Sequence, residues 1–319
     1  MQLRTTAAFL LLLVFLGSKP AKAQMADSLA SVNYEHYPNV NSPRDSGSQV
    51  GLEVFRFRAG LPIPLTESKK TILLPGLSYE LLGFHGEGAN KPNIGTLHAP
   101  SASLGLLQVF GDRFIGMAMV GAGFATDFRD RVSADDLLFT VTGLFLYKFD
   151  KNFTLGAGVT YDRRSGNLLP LPAIGVNWQI SNEFRIRGFI PARLDVEYRA
   201  LPWLTVGLRG TFEGNRFHLS EKRYGASDLQ LAYSIITVGP KVTFRLADMM
   251  HLDVYSSVAV MRRYEVLRDG DSLGSAYLNP TVLSGIRLWF GPSGWRNEQA
   301  APAPSEPAVP AAPKEGEPR

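Results

Sequence analysis

Cysteine is absent from the 319 residues of this chain. Its absence excludes a disulfide scaffold, a thiolate metal site, a cysteine nucleophile and the lipid-bearing N-terminal cysteine of a bacterial lipoprotein. Charge is scarce as well. Asp, Glu, Lys and Arg make up 19% of the residues, below the ~25% of an ordinary globular chain. With 45% apolar residues, this balance excludes bulk disorder. No stretch reaches the ~18 consecutive apolar residues of a helical membrane span, and amphipathic helix patterns are few. His36, His85, His98 and His251 stand far apart, without metal-ligand spacing. No glycine-rich phosphate loop opens a helix. Metal and nucleotide chemistry lose their support, so no cofactor is expected.

What is present begins with a leader. Arg4 precedes the ten apolar residues Ala7–Leu16, and Ala21-Lys22-Ala23 follows as a small-x-small cleavage pattern. Residues 1–23 are expected to be a secretory signal peptide, with Gln24 first in the mature chain. The leader carries Arg4, Lys19 and Lys22 and no acid. A formal charge of +4 for the whole chain therefore falls to +1, with 30 basic residues against 29 acidic. Nucleic acid is not an expected partner, because no arginine-rich arm or RNA-binding aromatic motif accompanies so small an excess.

The body alternates with a period of two. In 152–163, Phe153, Leu155, Ala157, Val159 and Tyr161 oppose Thr154, Gly156, Gly158, Thr160 and Asp162. In 203–217, Leu204, Val206, Leu208 and Phe212 oppose Thr205, Arg209, Thr211, Glu213 and Asn215. In 249–266, Leu252, Val254, Val258, Val260, Tyr264 and Val266 oppose His251, Asp253, Tyr255, Ser257, Arg263 and Glu265. Each segment is a strand with one apolar and one polar face. A soluble sandwich alternates in the same way. Three features favour a transmembrane barrel instead. The strands are long enough for a tilted span, the polar faces are rich in Gly, Thr and Arg, and aromatics (Phe149, Phe153, Trp178, Phe184) flank short turns.

Parity then sets the strand count. Short turns fall at 111–113, 150–152, 181–182, 200–202 and 247–248, with longer polar loops between them. The alternation survives only if Pro191-Ala192 is a tight turn between strands 183–190 and 193–200, since proline cannot donate to a ladder. The remaining strands are 29–38, 49–61, 71–84, 98–110, 114–127, 135–149, 152–163, 170–180, 203–217, 228–246, 249–266 and 278–290. The expectation is an all-β, antiparallel, up-and-down transmembrane β-barrel of about fourteen strands, with twelve as the alternative. A phase change near 237–240 predicts a bulge in 228–246. Residues 24–290 form the barrel. Residues 291–319, rich in Ala and Pro beyond 298, are expected to be a disordered periplasmic tail. Gly285-Ile286-Arg287-Leu288-Trp289-Phe290 is similar to the terminal-strand signal read by the outer-membrane assembly machinery.

Several stretches carry a family resemblance. Ser133-Ala134-Asp135-Asp136 leads to Thr142-Gly143, and Leu169-Pro170-Leu171-Pro172 precedes Ile174-Gly175-Val176-Asn177-Trp178. Ile190-Pro191 precedes Val196-Glu197-Tyr198, and Val32-Asn33-Tyr34-Glu35-His36-Tyr37-Pro38 opens the chain. Together they resemble a Gram-negative outer-membrane β-barrel family of uncharacterised function. The resemblance implies a fold and an outer-membrane location, and no catalytic residues.

Charge on the polar faces marks the candidate site. Arg185, Arg187, Arg193, Asp195, Glu197, Arg199, Arg209 and Glu213 share the inward parity, as do Arg56 and Arg58 if Phe55 and Phe57 face lipid. A charge facing lipid costs ~2–4 kcal/mol at the midplane, so these residues are expected in the lumen. They form either a structural ion network or a constriction favouring anions. The expected role is a passive pore, a carrier of small anionic or hydrophobic solutes, or a structural envelope protein. Its partners would be outer-membrane lipid and lipopolysaccharide. The alternative is a lipid hydrolase, because His218-Leu219-Ser220 resembles the His-x-Ser pair of outer-membrane phospholipases and needs only a third group to orient the histidine. Asp127, Asp130, Asp135 and Asp136 read as solvated loop charge, or less simply as a Ca²⁺ or lipopolysaccharide bridge.

Overall fold

The computed structural model describes residues 28–42, 45–88, 94–130, 132–133, 136–162, 170–221, 225 and 228–295. The leader and the Ala/Pro-rich segment lie outside the described residues. The strands are β1 (Ala30–Ser42), β2 (Asp45–Gly60), β3 (Ile63–Pro64), β4 (Thr71–Gly88), β5 (Thr96–Phe110), β6 (Phe114–Phe124), β7 (Leu137–Lys148), β8 (Phe153–Asp162), β9 (Leu171–Gln179), β10 (Phe184–Ile190), β11 (Arg193–Leu201), β12 (Leu204–His218), β13 (Leu229–Ala247), β14 (Met250–Arg268), β15 (Asp271–Tyr277) and β16 (Thr281–Phe290).

Fourteen of these form a closed antiparallel barrel in which each strand pairs with the next. Two fall outside the ring. β3 is a short clip on β4, and β15 folds back on β14 as an extension of its hairpin. The ring closes where the first strand meets the last, from Ala30↔Phe290 to His36↔Ser284. Fourteen is the count expected from parity. The doubtful pair, β10 and β11, is indeed two strands joined at Pro191-Ala192, with register Phe189↔Arg193.

The two rims differ. One, the short-turn end, carries the connections at 111–113, 149–152, 180–183, 202–203 and 248–249 and the ten residues 61–70 that hold β3, together with both ends of the barrel. The other, the loop end, carries the remaining connections, which are longer except for the two-residue links 43–44 and 191–192. The outer wall is apolar, with Leu77, Val120, Val141, Phe145, Leu208 and Val282 all about half or more exposed. Near the short-turn end a run of rings circles the wall. Phe114–Tyr147, Tyr147–Phe149, Phe149–Phe153 and Phe153–Trp178 have centroids 5.0, 4.8, 4.9 and 5.4 Å apart. An apolar band bounded by aromatics is what a bilayer-spanning barrel requires.

The bulge lies elsewhere than expected. β13 keeps one parity throughout, and the register shift sits between Ile236↔Met261 and Thr237↔Ala259. The extra residue is Val260, on β14. The insertion turns every later side chain of β14 to the opposite face. Tyr264, expected outside, is therefore buried in the lumen. Arg263 and Glu265, expected inside, pair with each other on the outside at 3.0 Å.

Val141 lies outward near the middle of β7 and is half exposed. Val141→Lys is expected to cost about 2–4 kcal/mol in denaturant unfolding from lipid vesicles. An unchanged unfolding midpoint would show that this face does not meet lipid.

Candidate functional site

Inside the barrel, the alternation sends a different chemistry to each level. At the loop end the inward positions turn apolar. Tyr37, Leu52, Val54, Leu82, Leu97, Phe217, Leu231, Ile235 and Leu283 are almost completely buried in one continuous cluster. It contains side chains from both sides of the ring, so it fills the lumen at this level. The backbone supports the closure. Residues 125–127 cross the rim between β5 and β12, with His98 N–Thr126 O at 2.9 Å, Thr126 N–His98 O at 3.0 Å and His218 N–Ala125 O at 2.9 Å.

The side chains around that crossing bear on the hydrolase expectation. His218 Nδ1 lies 2.8 Å from Asp136 Oδ1, and Ser220 Oγ donates to Asp127 Oδ2 at 2.7 Å. The histidine thus has an orienting carboxylate. The serine proton is committed to a different one, and no hydrogen bond joins His218 to Ser220. A base that does not touch its nucleophile cannot activate it. Asp127 and Asp136 are buried ties rather than solvated loop charge. Among the described residues no group of three His, Asp or Glu side chains could hold a metal ion. Asp135 lies outside the described residues.

Eight of the ten expected lumen charges form two networks; Arg58 lines the cavity described below, and Arg199 donates to Asn182 O at 2.6 Å. The first sits toward the short-turn end of β10–β14. Glu197 meets Arg185 at 2.6 Å, Arg187 at 3.2 Å and Lys241 at 2.6 Å. Asp195 meets Arg193, Arg209 at 3.1 Å and Lys241 at 3.1 Å. Arg209 reaches on to Asp253 at 2.8 Å, which also accepts from Thr243 Oγ1 at 2.8 Å and Trp289 Nε1 at 2.9 Å. Cross-strand register creates two of these contacts directly, because Arg185↔Glu197 and Asp195↔Arg209 are direct partners. Lys241 and Asp253 are essential members that the local charge pattern of 183–213 could not reveal. They come from β13 and β14 and share the parity of Thr243 and Tyr255.

The second network spans the lumen. Arg56 on β2 binds three carboxylates: Glu35 on β1 at 2.9 Å, Glu80 on β4 at 2.7 Å and Glu213 on β12 at 2.6 Å. β2 and β12 are far apart around the ring, so the Arg56–Glu213 pair is a strut across the interior. Tyr255 donates to Glu35 at 2.7 Å, while Asn215 and Tyr233 donate to Glu80, each at 3.0 Å.

Between these fillings lies a cavity of about 590 Å³. Ala99, Ser101, Ser103, Gly121 and Gly123 line one side of it, with Met119, Leu138 and Leu171. Arg58, Arg287, Glu213 and Arg193 bring charge to its surface. Below it, Leu144, Leu146 and Ala173 make a second apolar cluster. Gly156 and Gly175 leave room for it, since a Cβ on either would sit within 3 Å of Leu146 Cδ2. The cavity also reaches the wall. β11 pairs with β12 only up to Arg193↔Thr211, while β12 continues to His218. Past Phe212 N–Ala192 O at 3.0 Å, no strand among the described residues pairs with that edge of β12 until the crossing segment meets His218. Phe189, Pro191, Ala192, Phe212 and Gly214 line the cavity at this gap.

Arg56→Met would leave three buried carboxylates without their shared cation. The expected loss is about 3–5 kcal/mol of unfolding free energy in lipid. Adding Glu213→Gln should recover part of it. A near-neutral single substitution would show that the strut does not support the barrel.

Among solved structures, the chain is similar to a COG4313 outer-membrane channel from Pseudomonas putida F1, with 10% identity, coverage of 86% of this chain and 99% of that one, and a TM-score of 0.45. It is also similar to the Pseudomonas putida toluene transporter TodX, with 11% identity, 85% and 91% coverage and a TM-score of 0.39. A FadL homologue from Pseudomonas aeruginosa gives 11%, 81% and 88%, and 0.35. A comparison with curated proteins gives no match. A family model described as a domain of unknown function (DUF6268) matches residues 20–270, and the chain belongs to that family.

Proposed function

We propose that this protein is an outer-membrane solute channel built around an internal chamber rather than an open water-filled pore. The observation that carries this is the 590 Å³ cavity, bounded by apolar packing toward the loop end, flanked by the ion pairs of β10–β14, and reaching Ser28 and Gly60 at the short-turn end beside β1 and β2. Its volume falls within the ~300–1,000 Å³ of small-molecule sites. The apolar outer wall and the aromatic run support a membrane location. The expected leader and the similarity of Gly285–Phe290 to the terminal-strand signal support export and delivery to the assembly machinery. In that setting the short-turn end is periplasmic, and the loop end faces lipopolysaccharide.

The gap above the β10–β11 turn supports a route into the chamber through the wall. The lining supports the class of solute. Small and apolar side chains suit a compact organic body, and Arg58 and Arg287 suit a negative charge on it. The same charges support a preference for anions.

Purified protein reconstituted in planar bilayers should lack the large steady conductance of an open barrel. Vesicles containing it should take up a small apolar carboxylate faster than an amine of equal size. Arg58→Glu should cut that preference several-fold while leaving heat-modifiable gel mobility unchanged. A large, unselective conductance in the parent would overturn the chamber. Equal uptake of acid and amine would overturn the charge preference.

A further inference from the structure

We propose that residues Gly291–Trp295 form a strap that closes the periplasmic mouth of the barrel, with Trp295 as its catch. This rests on the channel reading for its purpose, and on geometry alone for its existence. The chain does not leave the barrel where β16 ends. It turns at Gly291 and again at Gly294, where φ is +70°. That left-handed conformation favours glycine, and a Cβ there would meet Arg185 Nη1 at 2.9 Å. Both turns carry the chain inward across the opening.

The far end of the strap is held by strands on the opposite part of the wall. Trp295 sits between two guanidinium groups, with Arg185 Cζ 4.2 Å and Arg199 Cζ 5.0 Å from its ring centre. Arg185 Nη1 donates to Ser293 O at 3.0 Å. Arg185 and Arg199 lie on β10 and β11, five and four strands from β16 around the ring. Five residues thus span a chord of the mouth. The near end is tied as well, by Gly291 N–Met249 O at 2.9 Å. Beneath the strap a small cavity of about 30 Å³ remains, lined in part by Thr205, Thr243 and Trp289.

The strap differs from the rest of the lumen filling in how it is held. The ion pairs beneath it join side chains of strands locked in ladders. The strap itself belongs to no ladder, and among the described residues its catch is the Arg185–Ser293 hydrogen bond and two cation–π contacts. Such contacts are individually worth ~0.5–2 kcal/mol. The strap can therefore be displaced without breaking the barrel.

The chain lacks native cysteine, so one introduced thiol reports on the mouth. Thr205→Cys lies beneath the strap. In the full chain reconstituted in lipid, its modification by a charged, membrane-impermeant thiol reagent from the periplasmic side should be slow. Trp295→Ala should raise the rate at least about tenfold, and Arg199→Ala should raise it less. A chain ending at Phe290, which keeps the whole terminal strand, should match Trp295→Ala. Trp295→Phe should retain most of the protection. Equal rates in the parent, Trp295→Ala and the truncated chain would overturn the strap. Heat-modifiable gel mobility checks that each variant is folded. Uptake by the same variants separates the two proposals. Faster labelling with no uptake in any variant leaves the strap standing and overturns the channel.

Discussion

A sheet immersed in hydrocarbon has no solvent to complete its hydrogen bonds, so its two edges must find each other. Here the edges are β1 and β16, and their ladder from Ala30↔Phe290 to His36↔Ser284 closes the ring. Most other features follow from that closure. Closure with next-neighbour pairing and an even number of strands brings both ends of the barrel to one rim. It also makes an inside and an outside from the alternation along every strand. Once the outside is committed to lipid, the polar side chains at mid-height of the strands are committed to the lumen, where each must find a partner or meet water.

Fourteen strands enclose more space than the inward side chains of any one level can fill. The protein fills it level by level with different materials. Apolar side chains pack the loop end, ion pairs brace the short-turn end beside β10–β14, and Leu144 and Leu146 pack beside β6–β9. The ionic part is costly to assemble, because each ion loses its water. It is tolerable because the carboxylates share cations: Lys241 bridges Asp195 and Glu197, and Arg209 links Asp195 to Asp253. Arg56 carries the same economy furthest, with three glutamates around one guanidinium. What remains unfilled is the chamber, at the one level where Gly, Ala and Ser dominate the facing strands.

Strand number, order and the split at Pro191-Ala192 were legible in the sequence because period-two alternation and turn residues are local signals. The family was legible too, in short runs of strand and turn grammar. The lumen charges were legible through parity alone. Two things were not. Val260 shifts β14 by one residue without any glycine or proline to mark it, since an insertion between apolar residues leaves the composition unchanged. The apolar seal was hidden for a related reason. Leu52 and Val54 share the parity of Arg56, Leu82 shares that of Glu80, and Phe217 shares that of Glu213. Extending the lumen parity along each strand would have placed these apolar residues inside. The expectation that apolar means outward concealed them. The ties of His218 and Ser220 to separate carboxylates arise from a chain crossing at the rim, and no local spacing encodes it.

The three closures around the chamber are not equally able to move. The apolar seal draws side chains from strands on opposite sides of the barrel, and opening it would expose several large side chains to water at ~1.5–3 kcal/mol each. The ionic braces would have to strip charges from partners at depth, which costs more per pair than a single cation–π contact supplies. The strap of residues 291–295 is outside every ladder and is held at its far end, among the described residues, by Trp295 against Arg185 and Arg199 and by the Arg185–Ser293 hydrogen bond. Beside β12, above Pro191-Ala192, no ladder bond is formed among the described residues. Traffic through a barrel filled in this way must therefore use its weakest boundaries. These are the wall gap above Pro191-Ala192 on one side of the chamber and the strap below it on the other. A solute that follows that path passes Arg58 and Arg287 and never crosses the apolar seal.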